Sequence, residues 1–246
     1  MSQTTTTPST SSRAGRRTTA ALLVAGAVTV NIAFLGLGTA FDYPNVLNQP
    51  PAEVLATFHA NQWVIGGLFL LMAIGAGLLA PIALRVGRMG TSTALRASVP
   101  VGIAAAAVQV IGLLRWPVLV PGLAAQAADP SASDTFDTLN LVLGTVIGET
   151  LGYALTAAWT VLVAIGLRKS LLGTPLAVVG IAAAALIATG IVEPLEVPGT
   201  GLANFLGYIV WSAWLIALAA AVLRTGRRSP AGPVQPITAS SIVSGV

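Results

Sequence analysis

The chain has 246 residues, of which 8% are charged and 55% apolar, with a net charge of +4. An average soluble domain is roughly 25% charged, so this composition excludes an ordinary soluble enzyme and points to a protein that crosses a membrane several times. The absence of cysteine and the single histidine exclude disulfides, iron–sulfur clusters, thiolate metal sites and multi-histidine zinc or haem sites, so no metal and no cofactor is expected.

Residues 1–18 are rich in Ser and Thr and end in the cluster Arg13, Arg16 and Arg17. They read as a disordered tail. Six apolar stretches follow at about 19–41, 63–84, 97–122, 139–167, 175–193 and 202–223, each near the roughly 20 residues a spanning helix needs. Residues 226–246 read as a second tail. The expected fold is therefore all-α: a membrane bundle of six helices over residues 19–225. Arg16-Arg17 before an apolar run also resembles a secretory signal. A signal core is about 7–15 residues, and the run from Thr18 to Phe41 is longer, which favours a retained helix.

Between the first two stretches, Pro50-Pro51 precedes Val54, Leu55 and Phe58. That spacing predicts a short amphipathic helix at an interface or a lead-in to helix 2. Trp63 fits an interfacial anchor. Ser98 with Pro100 and Thr174 with Pro175 read as helix starts. Pro117 should free a carbonyl in helix 3 and kink it. Gly144, Gly148 and Gly152 put a stripe of glycine on helix 4, which lets a neighbouring helix approach closely.

Charge positions predict orientation. Eleven of the 12 basic residues fall on one side of this six-helix plan, all but Arg115. Seven of the 8 acids fall on the other, all but Glu149. The positive-inside rule then places both termini in the cytoplasm of a cell with this protein in its inner membrane. The basic residues are scattered along the chain, so nucleic acid is not an expected partner. The partner certain to matter is the lipid bilayer. A homo-oligomer, a membrane partner and a small-molecule ligand all stay open.

Arg115 and Glu149 carry the chemistry. A charge near the bilayer centre costs about 2.5–3.5 kcal/mol even on insertion scales. Helix 3 places Arg115 about 10 Å from the outer end and helix 4 places Glu149 about 15 Å from it, so a bidentate ion pair is expected. Tyr153, Asn204 and Tyr208 lie at similar depths. Together with Arg115 and Glu149 they define a candidate polar pocket in the outer half of the bundle. A buried pair of this kind can serve only to fix helix register, and a ligand or ion site is the alternative. Catalysis is not expected. His59 is alone in an outer loop, and one carboxylate with one arginine does not make a two-acid site.

Three segments have a familial look. They are Leu113-Leu114-Arg115-Trp116-Pro117 with Val120-Pro121, Gly148-Glu149-Thr150-Leu151-Gly152-Tyr153 with Trp159-Thr160, and Asn204-Phe205-Leu206-Gly207-Tyr208 with Trp211-Ser212 and Trp214. With Phe41-Asp42-Tyr43-Pro44 they resemble the bacterial domain of unknown function 4386 family over about residues 20–225. That resemblance implies a small multi-spanning membrane protein and no established activity. The expected function is thus a multi-pass membrane protein whose Arg–Glu pair organises an outward-facing polar cluster. The alternatives are a small-molecule or proton-coupled transporter using that cluster, and a membrane partner subunit.

Overall fold

A computed structural model of the chain describes residues 10–225. Of the tails expected at 1–18 and 226–246, residues 1–9 and 226–246 lie outside the described residues. No strand occurs among the described residues, and the fold is a bundle of long apolar helices.

Helix α1 (Thr10–Phe41) begins well inside the stretch read as a tail. Thr18 and Thr19 donate their hydroxyls to the carbonyls of Ala14 and Gly15, each at 3.0 Å. Bonding back by four residues keeps such side chains compatible with a helix. A short 3-10 turn (Asn45–Asn48) leads to α2 (Pro51–Ala60), which starts with Pro51 in its first turn and carries Glu53 there. Both residues suit a helix N-terminus. Helices α3 (Gln62–Gly77) and α4 (Leu79–Gly87) form one crossing.

Helix α5 (Thr93–Val118) starts earlier than the Ser98–Pro100 signal suggested. Ser92 is the cap and accepts from the Leu95 amide at 3.3 Å. Ser98 instead donates to the Leu95 carbonyl at 2.8 Å, and Pro100 lies inside the helix. Pro117 lies inside the helix, which pauses only at Leu119 before α6 (Val120–Ala124); the Leu119 amide still donates to the Arg115 carbonyl at 2.9 Å, and Thr93–Ala124 forms one crossing. Helix α7 (Pro130–Leu139) lies between the third and fourth apolar stretches of the sequence. Its signal was present in Asp129-Pro130, where Asp129 accepts from the Ser131 amide at 2.9 Å and Pro130 occupies the first turn. That bond holds the exposed Asp129 carboxyl below its ordinary value.

Asn140–Leu151 is a π-helix, followed by α8 (Gly152–Leu167), a π turn (Arg168–Leu172), α9 (Gly173–Ala188) and a 3-10 segment (Thr189–Leu195). Together with α7 this is an unbroken helical run of 66 residues. Straight, it would measure about 100 Å, against a hydrocarbon core of about 30 Å. It doubles back at Gly173, whose φ of +68° is open to glycine at little cost. Thr174 makes no capping bond, so the positive-φ glycine, rather than Thr174-Pro175, makes this corner. Helix α10 (Thr200–Thr225) completes the fold.

Contacts along the helices show six antiparallel crossings. Val30 meets Gly75, and Gly36 meets Leu68. Gly66 lies at Pro117 and Gly102 at Ala83. Gly102 also faces Trp159, whereas Gly112 faces Gly148. Tyr153 abuts Gly190, Trp214 abuts Gly180, and Gly207 sits on Leu186 and Ile187. Finally Asn31 reaches Ser212, and Phe34 stacks near Phe205 with ring centroids 5.7 Å apart. Each crossing therefore packs on the next in sequence, and the last packs on the first, closing a ring.

The described basic residues other than Arg115 gather at one end of this ring, and the acids other than Glu149 at the opposite end. Each end has its own apolar core. Near the basic end, Trp159 and Trp214 pack with Leu23, Ile82, Leu95, Val163 and Leu218. Near the acidic end, Phe41, Phe58, Phe69, Trp116 and Phe136 form an aromatic cluster, with Phe69 and Trp116 stacked at 4.7 Å. Helix α2 caps this end. Val54, Leu55 and Phe58 are wholly buried in the chain itself, so its apolar face is not open to another protein. Trp63 is exposed beside it.

Candidate functional site

Polar side chains occupy the gap between the two apolar cores. Asn31 donates to the Ser212 hydroxyl at 2.9 Å and to its own Ala27 carbonyl at 2.7 Å. Gln109 donates to Thr156 Oγ1 at 3.0 Å, and Trp211 Nε1 to Thr160 Oγ1 at 2.7 Å. These bonds tie α1 to α10, α5 to α8 and α8 to α10. They satisfy groups that hydrocarbon would leave without partners.

Toward the acidic end the layer widens into the residues of the candidate pocket. Tyr153 and Tyr208 come together, with ring centroids 5.8 Å apart. Asn204 is buried and donates to the Ile187 carbonyl at 2.7 Å. That carbonyl lies near the C-terminal end of α9, where acceptors run short of backbone donors. Gly190 lies against both the Asn204 amide and the Tyr153 ring, so these three candidate residues share one corner between α8, α9 and α10.

Arg115 is 4% exposed. Its guanidinium does not meet the Glu149 carboxylate. Nη1 donates to the Gly112 carbonyl at 2.6 Å and Nη2 to Asn140 Oδ1 at 2.9 Å. The cation also lies over the Trp116 ring, 5.3 Å from its centroid, an attractive geometry. The expected bidentate ion pair is therefore replaced by a neutral amide and a backbone carbonyl. Gly148 faces Gly112, so Glu149 follows near the Gly112 level of α5. The Arg115 side chain turns back to the Gly112 carbonyl and rests across the helix seam on Gly144 and Asn140. The glycine stripe is what admits it: Gly144 faces the guanidinium, Gly148 faces Gly112 and Gly152 faces Gln109, all on α5 of the same chain.

Two charged groups are left incompletely matched. Arg115 Nε is buried and has no acceptor. Glu149 is half-buried and makes no hydrogen bond or ion pair among the described residues. It stays within electrostatic reach of Arg115, Glu193, Tyr43 and Tyr153. Tyr43, on the loop after α1, packs edge-on against Phe34 and Phe69. Burial, reinforced by the Glu149 charge, pushes its phenol above the ordinary tyrosine value, so it remains a neutral donor.

Sequence reasoning missed Asn140 and Tyr43. Asn140 lies nine residues before Glu149, at the start of the fourth apolar stretch. Tyr43 was read as part of a loop. It also missed the π-helix that carries both Asn140 and Glu149; π geometry is frequent at functional sites. Among the described residues no cluster of three or more metal-ligating side chains occurs.

The profile of a family described as "Domain of unknown function (DUF4386)" matches residues 18–219. The chain belongs to this family. The match spans all six crossings and every residue of the candidate site. No curated protein and no solved structure matches the chain.

Proposed function

We propose that this DUF4386 protein is a multi-pass protein of the cell membrane that binds a small polar solute in the acidic-end half of its bundle, without catalysing a reaction on it. The carrying observation is that Arg115 and Glu149 lie in one buried layer without neutralising each other. A lone ion pair that only fixed register would be closed on itself. Here the cation keeps a donor without an acceptor and the anion has no hydrogen-bonded partner, which is costly unless an occupant or water supplies one.

A screen of charge classes tests this. The purified full-length protein in detergent is warmed with small anions, cations, zwitterions and neutral polyols. At least one class is expected to raise the melting temperature of the native chain and to lose that effect in Glu149→Gln. If no class stabilises the native chain, the binding reading fails.

Transport of the bound solute is the second reading. Its support is the π-helix at Asn140–Leu151 and the 3-10 segment at Thr189–Leu195, two departures from α-helix in the same half of the bundle. Transporters build midplane sites from interrupted helices of this kind.

In this proposal both termini face the cytoplasm and the site opens toward the opposite side. Because the chain has no cysteine, single cysteines report the orientation directly. An impermeant thiol reagent on intact cells should label Asn45→Cys and spare Gly90→Cys. The reverse pattern would invert the topology.

A further inference from the structure

From this binding site we infer the class of its occupant: a small zwitterion, with its oxyanion on the Arg115 side and its ammonium on the Glu149 side. The inference rests on the reading of the polar layer as a binding site and goes on to specify the ligand.

The site holds one positive and one negative side chain. A simple anion would match Arg115 and be repelled by Glu149. A simple cation would match Glu149 and be repelled by Arg115. A zwitterion matches both and adds no net charge to a layer enclosed by apolar cores, where unmatched charge is expensive.

The two charged groups flank one helix seam. The guanidinium rests on the Gly112 carbonyl, Gly144 and Asn140, and Glu149 follows Gly148, which faces Gly112. An amino acid carries its two charges a few ångströms apart on one small molecule, so it can meet both groups with charge-assisted hydrogen bonds.

The walls also differ in the required sense. One turn along the helix from Glu149 stands Tyr153, whose ring meets that of Tyr208 with centroids 5.8 Å apart. Aromatic faces with a carboxylate suit an ammonium group. On the other side are the Arg115 Nε donor, which lacks an acceptor, and the Asn140 amide. Donors suit an oxyanion. The face of Trp116 is already occupied by the guanidinium, which holds that charge in place for the incoming group.

The test uses the full chain in detergent, with glycine, L-alanine, β-alanine, propionate and propylamine as probes, read by thermal shift and calorimetry. The amino acids are expected to bind, and propionate and propylamine to bind at least tenfold more weakly. Glu149→Gln should lose at least tenfold in affinity for the amino acids. Glu149→Asp, which shortens the carboxylate reach, should move the preference from L-alanine toward β-alanine. Equal binding of propionate or propylamine would overturn the zwitterion while leaving a binding site in place. Undiminished amino-acid binding in both Glu149 variants would overturn it as well. If no probe of any charge class binds, the site itself is refuted.

A lipid headgroup offers the same paired chemistry as a free solute. In phosphatidylglycerol nanodiscs, competition of added phosphatidylethanolamine with L-alanine would identify a lipid source. L-alanine binding that the lipid does not affect would identify a free solute.

Discussion

Gly112→Ala should be among the most destabilising single-methyl changes in this protein. A Cβ at Gly112 would stand 2.6 Å from Gly148 Cα and 2.9 Å from the Leu143 carbonyl oxygen. Both obstacles are backbone, so no side chain can swing aside. Helix α5 and the π-helix would have to separate, and the Arg115 guanidinium, seated between them, would lose its fit. Overpacking of this sort costs about 1–3 kcal/mol, and the upper part of that range applies here. Gly148→Ala should act in the same direction but less, since its Cβ would stand 3.1 Å from both Gly112 Cα and the Leu143 oxygen. Gly67→Ala is the control. Nothing lies within 4 Å of a Cβ there, and alanine is the better helix former. Thermal melts of the three variants in detergent decide the matter. Equal melting temperatures would mean that α5 and the π-helix are not in backbone contact.

Asn140→Leu should cost nearly as much, through a different mechanism. It removes the acceptor of Arg115 Nη2 and leaves a buried guanidinium with one fewer partner. Hydrogen bonds to charged groups contribute about 1.5–3 kcal/mol. Asn140→Asp should preserve or raise the melting temperature, because it supplies a carboxylate where the amide oxygen now stands. Glu149→Gln should preserve or raise the melting temperature of the unliganded chain, since no hydrogen bond is lost and an unmatched charge is removed. An ion pair between Arg115 and Glu149 demands the opposite order, with Glu149→Gln the damaging change and Asn140→Leu mild. The same melts therefore separate the observed register from the paired one. They also leave Glu149→Gln folded for the binding measurements.

Most of the architecture was legible in the sequence. Spanning helices announce themselves because the bilayer requires long apolar runs, and nothing in the lipid can replace backbone hydrogen bonds. The charge pattern located the turns between crossings. Local punctuation was less dependable. Ser98-Pro100 and Thr174-Pro175 looked like helix starts, yet Ser92 and the positive φ of Gly173 mark those corners. A capping residue competes with its neighbours for the same role, and tertiary packing chooses among them. The amphipathic α2 was readable from Val54, Leu55 and Phe58. That its apolar face covers Trp116 and Phe41 rather than a partner was not.

The candidate site divides in the same way. Arg115 and Glu149 stood out because charge is rare in such a chain. Their depths, counted along straight helices, put them side by side. The structure seats the guanidinium on the Gly112 carbonyl, Gly144 and Asn140 instead. Such a choice of partner is invisible to residue counting. It depends on which backbones can touch, on a π-helix that composition does not reveal, and on where a flexible side chain finds acceptors.

By itself, then, the sequence determined an all-α membrane bundle, its six crossings, its two charged ends and the identity of its two exceptional charges, because those follow from hydrophobic length and charge position alone. The tertiary structure decided that the ring closes between the first and last crossings, that the glycine stripe serves α5, and that the two charges remain apart. Those outcomes rest on close packing and hydrogen-bond geometry between segments distant in the chain, which local patterns do not encode.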